Sequence, residues 1–314
     1  MKCLIAGGAG FIGSHIAARF VQAGHEVTVV DGLLARTGGC RENLAGLLPG
    51  IQFFDVPVER VSNLAGLVAE SDLLVDCMGW SCHRLALQDP LYDMQLNIGS
   101  HLALINAVAP GSGKRVILLG SRGQYGNPKV ERITEATPSN PQDVQASHKQ
   151  AAESDWHVFS RIKGLAVISL RLGNCFGPRQ PVRGEDIGLV GGFIRDLLQG
   201  RQVELFGTGR RRPVIYAGDV AEAVYRCAQA SFHGFQMFNL AGTDVILEEL
   251  LELLICEVGQ GSYHLRELPA EVKAIDVGNA AFSGERLEAF LGGVPLTSLE
   301  AGIKRTVDYF RRAL

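Results

Sequence analysis

Paired cysteines are missing from this chain. Cys3, Cys40, Cys77, Cys82, Cys175, Cys227 and Cys256 are scattered over 314 residues, with no CxxC and no metal-ligand spacing. That pattern argues against a disulfide scaffold and a zinc site, and it fits the reduced thiols of a cytoplasmic protein. Long apolar runs are missing too, since none reaches the roughly 18 residues that a membrane span needs. The apolar start, Met1 to Ile16, is broken by four glycines and lacks the basic leader and cleavage site of a signal peptide. Charge of one sign is scarce: 30 Lys and Arg face 33 Asp and Glu, interspersed, for a net charge of -3. Nothing in that balance resembles a nucleic-acid or anionic-membrane footprint, and the densest basic cluster is only Arg210-Arg211-Arg212.

What the chain does have is a globular composition, 46% apolar and 20% charged, with enough length for one large domain or two modest ones. Short runs rich in Val, Ile and Leu recur at Lys2–Ala6, Glu26–Val30, Gln52–Phe54, Leu73–Cys77, Arg115–Leu119 and Ala166–Arg171. They lack period-2 alternation, as strands covered on both faces do. Helix-length segments lie between them, including Ser14–Ala23, Leu91–Ala109 and Val144–Ser160. Strand–helix alternation of this kind predicts an α/β fold with a doubly wound parallel sheet. Past Arg171 the texture shifts to Gly/Pro-rich turns framing helical stretches at Gly188–Leu198 and Leu247–Val258, which reads as a smaller lobe. Val214–Cys227 is again strand then helix, a return to the sheet. The expected division is 1–172, joined by 214–238, for the main domain, and 173–213 with 239–314 for the lobe.

Gly7-Gly8-Ala9-Gly10-Phe11-Ile12-Gly13 follows a predicted strand and opens a predicted helix, the context that gives a glycine pattern meaning. Gly7 suits the tight turn, Gly10 lets the backbone approach a pyrophosphate, and Gly13 lets helix pack on strand. The helix N-terminus would then offer free N–H groups and partial positive charge to the phosphates. Asp31 ends the second predicted strand near the ~20-residue offset of a carboxylate that grips a ribose. A carboxylate there accepts from an adenosine 2′-OH and repels a 2′-phosphate, which favours NAD over NADP. Arg36 is the nearby residue that would suit the 2′-phosphate instead.

Taken with Asp55, Asp89-Pro90, Asn97-Ile98-Gly99-Ser100, Leu119 to Gly126, Arg171 to Gln180 and Phe206 to Gly209, these residues resemble an extended short-chain dehydrogenase/reductase, the family of nucleotide-sugar epimerases, dehydratases and decarboxylases. The stretch from Ile275 to Gly302 is similar to the decarboxylases and 4-epimerases among them. The resemblance implies a Rossmann domain with a smaller C-terminal substrate-binding lobe, NAD as cofactor, and a nucleotide-diphosphate sugar as partner. It places Gly7, Gly10, Phe11, Ile12, Gly13, Asp31, Asp55, Val56, Asn97 and Lys149 on the cofactor. It places Ser121, Asn174 and either Arg212 or Arg211 on the substrate, a guanidinium suiting two phosphate oxygens at once. It also implies a homodimer through the helices at Leu91–Ala109 and Val144–Ser160.

In that family a Tyr takes the sugar hydroxyl proton while hydride leaves for the nicotinamide, and a Lys four residues on holds the ribose and lowers the phenol pKa. Ser121 and Lys149 occupy the family's Ser/Thr and Lys positions, but the Tyr position is Gln145, and an amide is no base of phenolate strength. Three readings follow. An epimerase with another base is the first, with His83, in the Trp80–Ala86 loop, as leading substitute, ahead of a water held by Gln145, His148 and Tyr125. A protein that binds NAD and a nucleotide sugar without turnover is the second. A decarboxylase or dehydratase is the third, although Arg122 and Gly123 stand where dehydratases of the family carry an acidic pair.

Overall fold

The computed structural model describes residues 1–184, 187–270, 273 and 275–313. In chain order the strands are β1 Lys2–Ala6, β2 Glu26–Asp31, β3 Gln52–Asp55, β4 Leu73–Asp76, β5 Arg115–Ser121, β6 Arg132–Ile133, β7 Ala166–Leu172, β8 Asn174–Phe176, β9 Val203–Phe206, β10 Arg211–Tyr216, β11 Phe235–Leu240, β12 Thr243–Ile246, β13 Tyr263–Arg266 and β14 Ala281–Phe282. The helices are α1 Phe11–Gln22, α2 Leu64–Glu70, α3 His83–Gln88, α4 Pro90–Met94, α5 Ser100–Ala107, α6 Val144–Lys163, α7 Leu189–Leu198, α8 Ala217–Gln229, α9 Leu247–Val258, α10 Glu285–Leu291 and α11 Leu299–Ala313.

Among the described residues, seven parallel strands form one sheet in the order β3-β2-β1-β4-β5-β7-β11. Ile5 of β1 sits opposite Val29 of β2 on one side and Val75 of β4 on the other. Strand order therefore reverses at β1, and the crevice beyond the carboxyl ends of β1 and β4 is where such a sheet binds ligands. Successive side chains alternate between two cores. Cys3, Ile5, Val29, Val75 and Ile117 pack under Ile16 and Phe20 of α1 and Val220 and Val224 of α8. Leu4, Val30, Leu74, Val116 and Leu118 pack under Leu104 and Ile105 of α5 and Trp156 of α6. Coverage on both faces is why the strands read as unbroken apolar runs.

A third core forms the smaller lobe, where Ile194 and Leu197 of α7, Leu250 and Leu254 of α9 and Val307 and Phe310 of α11 enclose Val203 and Leu205. The strand at Arg211–Tyr216 belongs to a small sheet, parallel to β8 and antiparallel to β12. The chain rejoins the large sheet one strand later, at β11, after α8. Among the described residues no helix is long and apolar enough to cross a membrane, and no group of three or more His, Cys, Asp and Glu could hold a metal.

The helix expected at Leu91–Ala109 runs from Pro90 to Ala107, with a π turn at Gln95–Gly99 between α4 and α5. Asp89 caps it by accepting from the Tyr92 amide at 3.2 Å, with Pro90 in the first turn. His83, expected in a loop, instead opens α3. Helix α6 behaves as its sequence suggests: Asp143 caps it, accepting from the Ala146 amide at 2.9 Å, and Gly164 stops it at a φ of 66°.

Candidate active site

A cleft of about 600 Å³ opens beyond the carboxyl ends of β1, β4 and β5. Gly7, Gly10, Phe11, Ile12 and Gly13 line one end. Gly7 has a φ of 77°, which favours glycine, and a Cβ on Gly13 would overlap the Gly7 carbonyl oxygen. Helix and turn can be this close only without that side chain. The first turn of α1 carries no acidic residue, and its cap, Gly10, brings no side-chain acceptor to the amides. An unblocked helix N-terminus facing a cleft has free N–H groups and partial positive charge to offer a phosphate.

Asp31 lies beside this turn. One carboxylate oxygen accepts from the Ala9 amide at 2.9 Å and the other from the Leu33 amide at 3.0 Å. Burial pushes its pKa above the usual carboxylate value, against the pull of those amides. Arg36 turns to other work, pairing with Asp89 at 3.0 Å and lying over Trp80 at 4.9 Å. Pro57, Val58 and Glu59 also line the cleft. Asp55, by contrast, ends β3 exposed, 3.8 Å from Arg41, and neither it nor Val56 lines the cleft.

At the far end stand Ser121, Gln145 and Lys149. Lys149 donates to the Met78 carbonyl at 2.7 Å, and burial draws its pKa below the ordinary lysine value, opposed by Asp76. Asp76 is fully buried beneath it. It accepts from the rings of His101 at 2.6 Å and Trp156 at 3.0 Å, and from the Met78 amide at 3.3 Å. Burial alone would raise this carboxyl; His101, Lys149 and Trp156 together hold it below the usual range. Asn97 is buried and does not reach the cleft: its amide brackets Trp80, accepting from the main-chain N–H and donating to the C=O, and also donates to Asp93. These bonds fix the loop after β4.

Gln145 and Lys149 lie four residues apart on α6 and both face the cleft, as i and i+4 must. Gln145 is 3% exposed, and its Oε1 is buried with no hydrogen-bond partner among the described residues. Ser121 accepts from the Gly123 amide at 3.0 Å. His83 also lines the cleft, its Nδ1 3.0 Å from an Asp143 carboxylate oxygen. His148 points elsewhere, to Asp93 at 2.6 Å. Tyr125 is core: its hydroxyl donates to Asn239 at 2.8 Å under the Arg171 guanidinium, and it does not line the cleft.

On the lobe side, Asn174, Gln180, Pro181 and Leu189 close the cleft. Arg211 and Arg212 do not line it. Arg212 is buried, donating to Asp276 at 2.8 Å and to the Gly278 carbonyl at 3.0 Å. Arg211 lies 3.7 Å from Asp244. Both guanidiniums already have carboxylate partners. Sequence reasoning missed Gln180, whose Oε1 is another buried acceptor without a partner among the described residues. It also missed Asp143 as the partner of His83. Its signal was present, an Asp just before a helix, but that signal announces only a cap.

A doubly wound sheet with a glycine turn, a carboxylate on β2, and a lysine and serine across the same cleft defines a dinucleotide-binding Rossmann protein. The model of the NAD dependent epimerase/dehydratase family matches residues 3–241, and the chain belongs to that family. It is 29% identical to a UDP-glucose 4-epimerase of Mycolicibacterium smegmatis, over 99% of both chains. It is 26% identical to UDP-glucuronic acid decarboxylase 1 of Xenopus tropicalis, over 100% of this chain and 73% of the relative. The crystal structure of a Thermus thermophilus UDP-glucose 4-epimerase in complex with NAD matches all of both chains, at 30% identity and a TM-score of 0.85.

Proposed function

We propose that this protein is a nucleotide-sugar epimerase that works by transient oxidation of one sugar carbon. The observation that carries the reading is the convergence of the phosphate turn, Asp31, Lys149 and Ser121 on one cleft. NAD, when bound, accepts a hydride from the sugar and later returns it. Asp31 favours NAD over NADP, and Arg36, paired with Asp89, is committed elsewhere. Lys149 would orient the nicotinamide ribose and supply positive charge. Ser121 would hydrogen-bond the reacting oxygen, and Gln145, through its partnerless Oε1, would accept from a sugar hydroxyl. His83, at the cleft wall, would take the hydroxyl proton in place of the missing Tyr.

Residues 1–172 with 214–238 would carry the dinucleotide, and 173–213 with 239–314 the nucleotide-diphosphate sugar, through Asn174 and Gln180. Dehydration is disfavoured because the two positions after Ser121 offer no acid: Arg122 turns to the Val277 carbonyl at 3.0 Å and Gly123 has no side chain. A homodimer is supported by Leu91 and Ile162, 73% and 68% exposed on α4 and α6, with Leu87, Met94 and Val158 also exposed on α3, α4 and α6.

Incubating NAD-loaded protein with a panel of nucleotide sugars tests the reading. A new epimer seen by NMR supports it. Tight binding across the panel with no new sugar would favour a binding protein without turnover, the reading that the amide at Gln145 keeps open.

A further inference from the structure

Asp143 does more than cap a helix. Its side chain is 2% exposed, and its two oxygens have separate tasks. One accepts from the Ala146 amide at 2.9 Å, the capping bond of α6. The other lies 3.0 Å from His83 Nδ1, on a different helix. The His83 side chain remains 44% exposed, at the wall of the cleft.

The space in front of this pair is defined by Gly123. A Cβ there would lie 3.8 Å from His83 Cε1, 3.3 Å from Ser121 Oγ and 3.5 Å from the Ala146 methyl. Imidazole and serine hydroxyl therefore converge on one small volume that a side chain at Gly123 would fill. Gln145, two residues after Asp143, also lines the cleft with its partnerless oxygen.

We propose that His83 and Asp143 form a base dyad that replaces the absent phenol. His83 is the catalytic residue and Asp143 its positioning residue: a small turn of the imidazole would bring Nδ1–H onto the carboxylate oxygen 3.0 Å away and make Nε2 the nitrogen for the sugar. The dyad rests on the function proposed above. In the oxidation step the hydroxyl proton of the nucleotide sugar passes to His83 Nε2. The C–H bond on the same carbon breaks, its electron pair leaving as hydride for bound NAD, and the C–O bond becomes C=O. His83 ends as an imidazolium beside the Asp143 carboxylate, and the return step reverses each transfer.

The electrostatics agree with this assignment. Burial alone would raise the Asp143 carboxyl, but His83 and the amides of Ala146 and Gln145 outweigh it and hold it below the usual carboxylate range. It is thus an anion when the imidazole must accept a proton. Among the described residues, the other charged groups lining this end of the cleft are Arg84, beside His83 on α3, and Lys149 of α6. Asp93 and His148 lie between α4 and α6, paired with each other at 2.6 Å.

Asp143→Asn separates the two tasks, because asparagine caps helices about as well as aspartate but carries no charge. The expected variant unfolds within about 2 °C of the wild type and binds NAD equally. Its rate of nicotinamide reduction by a nucleotide sugar falls about 100-fold at little change in KM, and the acid limb of the pH profile moves to lower pH by about one unit. His83→Ala loses a similar factor, and the double variant loses little more. A readout independent of turnover is the ¹⁵N titration of the His83 imidazole in cofactor-free protein, which should move to lower pH in Asp143→Asn. If Asp143→Asn changes only stability or KM, or the His83 titration stays in place, the dyad is wrong and the epimerase reading stands. If the wild type itself reduces no nicotinamide with any nucleotide sugar, the proposed function fails, and the base role with it.

Discussion

Replacing Gly13 by alanine puts a methyl where the turn after β1 already stands. The added carbon would overlap the Gly7 carbonyl oxygen and lie 2.8 Å from Gly8 Cα. These are backbone atoms, so no side chain can rotate away. To clear the Gly7 oxygen to an ordinary carbon–oxygen contact of ~3.2 Å, the start of α1 must withdraw by roughly 1 Å. An amide ~2.9 Å from a phosphate oxygen would then sit near ~3.9 Å, beyond a hydrogen bond. Losing one or two charge-assisted bonds costs roughly 2–4 kcal/mol, an NAD affinity about 30- to 700-fold weaker. Overpacking should also lower folding stability by about 1–3 kcal/mol. Isothermal titration with NAD on cofactor-stripped protein measures the first effect and urea denaturation the second. Gly99→Ala is the control, since a Cβ there meets nothing within 4 Å. Should Gly13→Ala bind NAD within threefold of the wild type, the account of the phosphate turn is wrong.

Other consequences can be measured on the same protein. His15 donates to the Pro178 carbonyl at 2.8 Å, and burial, helped by Arg179, lowers its pKa to about 4. With the folded pKa below the unfolded one near ~6.5, the unfolded chain binds the extra proton, so stability falls as pH drops from about 6.5 to about 4, by roughly 3 kcal/mol. His15→Gln should remove most of that drop in urea midpoints measured across this range, and an unchanged drop would contradict the assignment. Asp76→Asn leaves buried His101 and Lys149 without their carboxylate, and urea denaturation should show a loss of about 3–5 kcal/mol; a loss under about 1 kcal/mol would mean the network is not charged. Leu91→Asp with Ile162→Asp should halve the mass seen by light scattering, whereas a monomeric wild type would remove the proposed dimer.

Strand positions were legible because each is covered on both faces, so Lys2–Ala6 and Ala166–Arg171 differ from the structure by a residue at most. The glycine turn after β1 was legible because its glycines answer to local geometry. Side-chain direction in the second half was not. The pairing of Arg212 with Asp276, more than sixty residues on, leaves no mark in the sequence. Asn97 was hidden for a related reason, since the π turn that aims its amide at Trp80 leaves no mark in helical periodicity. The dyad was half legible: His83 could be suspected from its place after β4, but Asp143 reads only as a cap until α3 packs on α6.

The central claim is that a sugar carbon gives up hydride in this cleft and receives the same hydride back. Incubating NAD-loaded protein with a nucleotide sugar deuterated around its ring, then reading the product by NMR, tests it directly. The account predicts a new epimer that keeps deuterium at the oxidised carbon and forms more slowly than from unlabelled sugar. An epimer that has exchanged that deuterium for solvent hydrogen, or no epimer from any nucleotide sugar tried, would contradict it.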